Sequence, residues 1–310
     1  MVGLLVVVAL AMGGYGGWLF LQNREAEARA ADRQRQEGEL VALVEAALAG
    51  GDLVQPEGES AYDWYTQLRT DFPESSRLAD LEARALPQLR DRLDAFYDRW
   101  TRTSSAPDSE WPRVRRMGRW ASELSPGNGR VRAQHLYADA RHAFESGNIT
   151  SAEERYRAAI EAWPEWALPY NSLGVLMVRR RNYRSAATWY EEAASRDPDW
   201  PFPRLNLGGV YANLGRYNDA ARTLDLAEEV GGAAAEAWAN LSSVCLDDEA
   251  YPCALGAARR ALDARGDRVD RERMRQRVRY LSSYIDGGYV GVIGYQEFIE
   301  LVQEAEAGAE

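Results

Sequence analysis

Along most of this 310-residue chain, apolar positions recur with the period of a helix, in runs broken by Gly, Pro and Asn. Residues 40–48 predict one such helix. Ala61, Tyr65 and Leu68 predict a second that stops before Pro73, with "VQPEGE" inserted in the turn between them. Residues 78–102 predict a long helix and "SSAPDSE" a loop; Val114, Gly118 and Ala121 then mark a helix ending before Pro126. Beyond residue 269, Met274, Val278, Leu281 and Ile285 form an i, i+4, i+7, i+11 stripe over a helix at 269–285. A short last helix is expected at 295–306, followed by an Ala/Glu-rich tail. The pattern is that of an all-α protein.

Residues 2–21 break it. They carry no charge, and 20 residues of helix span about 30 Å, the thickness of a bilayer's hydrocarbon core. A cleaved signal would show a basic start and a shorter apolar run. Residues 1–22 are therefore expected to be an uncleaved transmembrane anchor, with Trp18 near its interfacial end. Residues 23–38 read as a charged helical linker. Arg24, Arg29, Arg33 and Arg35 after the anchor argue for a cytoplasmic C-terminal part. The frequent bacterial arrangement, a short anchor displaying a domain outside, argues the opposite. By a narrow margin we place the domain on the periplasmic side of a bacterial inner membrane.

Two phrases, "WPEWALPYNSLGVL" from Trp163 and "DPDWPFPRLNLGGV" from Asp197, say nearly the same thing. Pro164 and Pro198 are 34 residues apart, as are Trp166 and Trp200. With units numbered from Ala133, Ala167, Pro201 and Ala235, the eighth places hold Ala140, Gly174, Gly208 and Ser242. The twentieth hold Ala152, Ala186, Ala220 and Ala254, and the twenty-seventh Ala159, Ala193, Ala227 and Ala261. Small residues at three fixed places imply two antiparallel helices pressed closely together. Gly147 and Gly215 fall at the turn between them. Pro164 and Pro198 end the second helix, and one hairpin cannot bury its apolar face alone, so units must stack.

The 34-residue unit with these small and Pro positions resembles the tetratricopeptide repeat, over four units in 129–266. The resemblance implies an α-solenoid of stacked hairpins following the transmembrane helix, with 39–128 as two degenerate hairpins and 267–310 as capping helices and tail. An unrelated helical linker domain remains the alternative for 39–128. The chain departs from the family at Arg204 and Asp139, where large apolar residues are usual, and at Gly232 and Gly266 in place of the closing Pro. The resemblance further implies a concave groove that binds a partner protein or extended peptide. Its groove places hold Tyr137, Arg141, Leu168, Asn171, Val175, Phe202, Asn206, Asn213 and Asn240. The family's carboxylate clamp is absent: its places hold Tyr137, Arg141, Ser172, Phe202 and Asn206, of which only Arg141 suits a carboxylate. Residues 43–73 also resemble a stretch found after the anchor in some bacterial transmembrane serine/threonine kinases and TonB-like repeat proteins. No kinase motif accompanies it.

Charge and chemistry narrow the function further. The net charge of −11 argues against nucleic acid, and all 37 basic residues are Arg. His135 and His142 lie two helical turns apart, too far for one metal ion, and no motif for catalysis, phosphate or calcium is present. We expect a non-enzyme without cofactor or metal. Arg271, Arg273, Arg275, Arg277 and Arg279 alternate along the last predicted helix and are expected to form a solvated face. Cys245 and Cys253 sit on opposite helices of the last hairpin; two buried thiols are preferred over a disulfide. Gly13 and Gly17 make a Gly-x-x-x-Gly in the anchor, which permits a homo-oligomer. Three functions stay open: a membrane-anchored adaptor, a self-assembling envelope protein, and a part of a kinase-type signalling system without its kinase domain.

Overall fold

Within each repeat, one residue sets the turn between the two helices. Gly147, Arg181, Gly215 and Glu249, all at the fifteenth place, have φ of 77°, 57°, 70° and 59°. A left-handed residue after a helix closes two hydrogen bonds onto its last free carbonyls. The amide of the sixteenth place donates to the carbonyl of the eleventh in every unit: Asn148 to Ala143, Asn182 to Met177, Arg216 to Tyr211 and Ala250 to Cys245. The amide of the fifteenth donates to the carbonyl of the twelfth, again four times. Asn148 and Asn182 then cap the following helix, each side chain accepting from the amide three residues on.

The computed structural model describes residues 2–103, 110–264 and 269–286, and side chains from Trp18 onward except those of 19, 103, 284 and 286. Among the described residues there are thirteen helices: α1 (Val2–Gly50), α2 (Ala61–Asp71), α3 (Leu78–Thr103), α4 (Glu110–Leu124), α5 (Gly129–Glu145), α6 (Ile149–Ala162), α7 (Ala167–Arg179), α8 (Tyr183–Arg196), α9 (Pro201–Asn213), α10 (Tyr217–Glu229), α11 (Ala235–Asp247), α12 (Tyr251–Asp263) and α13 (Arg271–Asp286). The boundaries expected at residues 22 and 38 fall inside the single helix α1. The anchor's own side chains, with Gly13 and Gly17, lie outside the described residues, as do 104–109, Gly266 and the helix expected at 295–306. Among the described residues, no helix is long and apolar enough to cross a membrane.

Two compact units result. The first holds the chain up to Phe96 and α4 with the turn after it to Val131. In it, α2 opens with a capping box, Ser60 and Asp63 holding each other's amides. Arg116 of α4 reaches both Asp63 (2.7 Å) and the carbonyl of Val54 (2.6 Å). Trp120 lies between Tyr62 and Tyr65, and Leu81, Ala85, Leu89 and Leu93 form one fully buried stripe of α3.

The second unit holds the end of α3 from Tyr97 and everything from Arg132 onward. Helices α7, α9 and α11 begin 34 residues apart, as do α8, α10 and α12, and consecutive pairs pack in order. Every small residue at the eighth, twentieth and twenty-seventh places is buried. The reason is visible at the eighth: a β-carbon on Gly174 would stand 2.5 Å from the ring of Tyr190, its partner at the twenty-fourth place. Ser242 manages the same approach by donating its hydroxyl to the carbonyl of Ala254 (2.8 Å).

Arg204 has a plain physical role. Tyr170, one unit earlier, donates its hydroxyl to the carbonyl of Pro164 (3.1 Å), and Arg204 donates its guanidinium to the equivalent carbonyl of Pro198. Asp139 faces the imidazole of His135 at 3.8 Å, four residues back on α5; His142 is exposed. At the C-terminal end, α13 packs on α12 with Met274 and Leu281 buried and Val278 and Ile285 half-buried.

Two expectations are corrected here. The solvated arginine face fails at Arg277, which is buried and donates to Ser243 (2.9 Å), and in part at Arg271, half-buried and donating to the carbonyls of Leu262 and Ala264. A spacing of two carries five arginines around the helix, so not all of them face water. Cys245 and Cys253 are joined in a disulfide rather than left as thiols. The left-handed turn at Glu249 brings their α-carbons to 5.8 Å, inside the range a disulfide spans.

Candidate functional site

In α5, α7 and α9, one recess draws on second, fifth, sixth, ninth and twelfth places. Where α5, α7 and α9 meet the end of α3, these places enclose a cavity of about 350 Å³. Of the nine groove residues predicted, Tyr137, Arg141, Leu168, Asn171, Val175, Phe202 and Asn206 line it. Asn213 and Asn240 do not: both are exposed, and the Asn213 amide donates back to the carbonyl of Gly209 (2.8 Å).

Three walls come from residues the repeat register does not assign to the groove, Trp100, Tyr156 and Trp200, and Phe144 adds a fourth from the twelfth place, on α5. Trp200 precedes the first residue of α9, and its indole N–H crosses to the carbonyl of Thr101 (2.7 Å). That carbonyl belongs to the last turn of α3, where helix geometry leaves carbonyls without an internal partner. Trp100 donates its indole N–H toward the hydroxyl of Tyr137 (3.4 Å), and the guanidinium of Arg141 lies 4.9 Å from its ring centre. The end of α3 is thereby stitched to α5 and α9. For Trp100 no sequence signal existed; for Trp200 the signal was its repetition with Trp166, which points to a joint and not to a wall.

The floor is aromatic. Tyr137 is buried against Tyr97, Tyr156 and Trp166, with ring centres 5.2–5.7 Å apart. Burial pushes the phenols of Tyr97, Tyr137 and Tyr156 above the ordinary tyrosine range, so all three are neutral at physiological pH. Tyr137 keeps a hydrogen bond with Ser172 across the repeat boundary (3.0 Å).

Polar capacity sits at one place. Asn206 donates its side-chain amide to the carbonyl oxygen of Asn171 (3.0 Å), linking α9 to α7. Among the described residues, this leaves the amide NH₂ of Asn171 and the side-chain carbonyl of Asn206 without a protein partner. One free donor and one free acceptor are the complement of a peptide unit. The one charge among the described residues of the lining, Arg141, is met by Glu145 at 2.6 Å on its own helix.

No protein-family model matches the chain, and no curated protein does. Among solved structures, the chain is similar to YrrB, described as a TPR protein with an unusual peptide-binding site, at 17% identity and a TM-score of 0.43 over 64% of this chain and 91% of that one. MamA of Desulfovibrio magneticus RS-1 is similar at 17% identity and a TM-score of 0.44, over 57% and 96% of the two chains. A tetratricopeptide repeat protein from Parabacteroides merdae is similar at 14% and 0.42, over 88% and 98%.

Proposed function

We propose that this chain is a membrane-anchored scaffold of tetratricopeptide type, holding an extended segment of a partner protein in the cavity of α5, α7 and α9. The observation that carries this reading is the Asn171–Asn206 pair. Its unused donor and acceptor sit in an aromatic-walled recess where a peptide unit exchanges both hydrogen bonds without leaving a buried group unpaired. The role is recognition and not catalysis.

The anchor belongs to the same proposal. Trp18, Phe20 and Leu21 are more than half exposed at the end of the uncharged run, a cost in water that a bilayer interface removes. The disulfide favours the oxidising, periplasmic side.

The test is a photo-crosslinking amino acid at Val175, in the full chain, in its native membranes. A specific adduct is expected, and it should vanish when Asn171, Phe202 and Asn206 are replaced together by Ala in a variant that still melts cooperatively. An adduct untouched by the triple substitution would overturn the reading. Protease added to intact cells and to spheroplasts reports the side: digestion of the repeats only after the outer membrane is opened fits the periplasm.

A further inference from the structure

The cavity already holds a sample of the chemistry it accepts, supplied by the chain itself. At its α3 end sit an aromatic side chain and the next residue's backbone carbonyl: Trp100 against Tyr137 and Arg141, and Thr101 on the indole of Trp200. The adjoining free volume repeats that pattern. Leu168, Phe202 and Val175 give it apolar walls, and the open amide and carbonyl of Asn171 and Asn206 stand beside them. Its 350 Å³ is near the lower limit for ligand sites, enough for one large side chain and adjoining backbone, and too little for a packed helix.

We propose that this cavity reads one large apolar side chain, aromatic before aliphatic, within an uncharged extended segment of the partner. The inference rests on the groove reading above and narrows it. Charge complementarity sets the class. Arg141, the lone charged residue among the described residues of the lining, is compensated by Glu145 and engaged with Trp100, so an incoming carboxylate gains no free cation. An incoming Lys or Arg meets no carboxylate among the described residues of the lining. Either would enter a half-enclosed recess without an opposite charge; the ring faces return a cation less than its desolvation costs, and return a carboxylate nothing. A bulky ring gains its burial and loses nothing.

The experiment uses the full chain in lipid nanodiscs and labelled ten-residue peptides of Gly, Ser and Thr, each with one central Trp, Phe, Leu, Ala, Asp or Lys. Binding to empty nanodiscs is subtracted. Trp and Phe peptides should bind at least about tenfold more tightly than the Ala peptide, with Leu between and Asp and Lys no better than Ala. Val175→Trp, at an exposed position that tolerates bulk, fills the recess and should remove the advantage of Trp and Phe. Phe202→Ala should reduce it. If all peptides bind alike and Asn171→Ala with Asn206→Ala abolishes binding, the side-chain inference falls while the groove reading stands. If no peptide binds, or binding ignores the asparagines, both fall.

Discussion

Leu224 packs directly over Gly208: a β-carbon on that glycine would stand 2.5 Å from Leu224 Cδ2 and 2.8 Å from its Cγ. On Gly209, the next residue of the same helix, a β-carbon would meet nothing within 4 Å. Adjacent Gly→Ala substitutions should therefore have opposite signs. Gly209→Ala gains helix propensity, up to about 1 kcal/mol. Gly208→Ala gains the same but must displace a fully buried side chain, and overpacking costs about 1–3 kcal/mol, so the net is destabilising. Gly174→Ala, beneath the stiffer Tyr190 ring, should cost more still. Denaturant midpoints decide it, and equal shifts for 208 and 209 would refute the close-approach account.

The four left-handed turns make a second contrast. Gly215 occupies its turn without steric cost, whereas Arg181 and Glu249 hold φ of 57° and 59° with exposed side chains. A residue with a β-carbon spends roughly 1–2 kcal/mol there. Glycine at that place returns part of the gain through the extra freedom of the unfolded chain, about 0.4–1 kcal/mol. Arg181→Gly and Glu249→Gly should thus raise stability by up to about 1 kcal/mol each. Gly215→Ala should lower it by a similar amount, with thermal melts as the measurement. A loss on Arg181→Gly would show that the side chain does more than sit in solvent.

The small residues at the eighth, twentieth and twenty-seventh places were legible because close helix approach tolerates nothing else, whatever the rest of the sequence does. Groove places were legible only by face. A face becomes a cavity where something closes over it, and here the closure is the end of α3, with Trp100 outside the 34-residue register altogether. Asn213 and Asn240 were assigned to the same face but are exposed and outside the lining of this cavity. Arg204 looked like a departure because family comparison counts apolarity; the place also asks for a donor to the preceding Pro carbonyl, which Tyr and Arg both supply. The disulfide needed the turn geometry, since spacing alone leaves the distance between two helices open.

Trp200 joins the repeats to the end of α3, and that link is separable from its packing. Trp200→Phe keeps an aromatic ring but removes the indole N–H, leaving the Thr101 carbonyl at a helix end without its donor. The expected loss is about 1–2 kcal/mol. Its signature should be local: amide hydrogens in the last turn of α3 should exchange faster, while those of α11 and α12 keep their protection. Uniform loss of protection across the repeats would instead assign Trp200 to the core alone.

Alkaline pH offers an unusually clean readout, because the sequence has no Lys, its Arg stay charged, and the two cysteines are tied in a disulfide. Between roughly pH 9 and 12 the titrating side chains are then the tyrosines. Burial holds Tyr97, Tyr137, Tyr156 and Tyr190 above their ordinary range. Tyr211 is pushed up to about 12 by burial and by its hydrogen bond to Glu191. A raised phenol means the folded state favours the neutral form. That stabilisation is complete below the unfolded pKa near 10 and is lost as pH climbs through the folded values. Urea midpoints should hold level to about pH 9.5 and then fall steeply. Tyr211→Phe starts lower, having lost its bond to Glu191 at every pH, yet should lose less between about pH 10 and 12 than the parent, so the two curves converge. Parallel curves would show that Tyr211 titrates alike in the folded and unfolded chains, and would move the alkaline weakness to the other raised tyrosines, Tyr97, Tyr137, Tyr156 and Tyr190 among them.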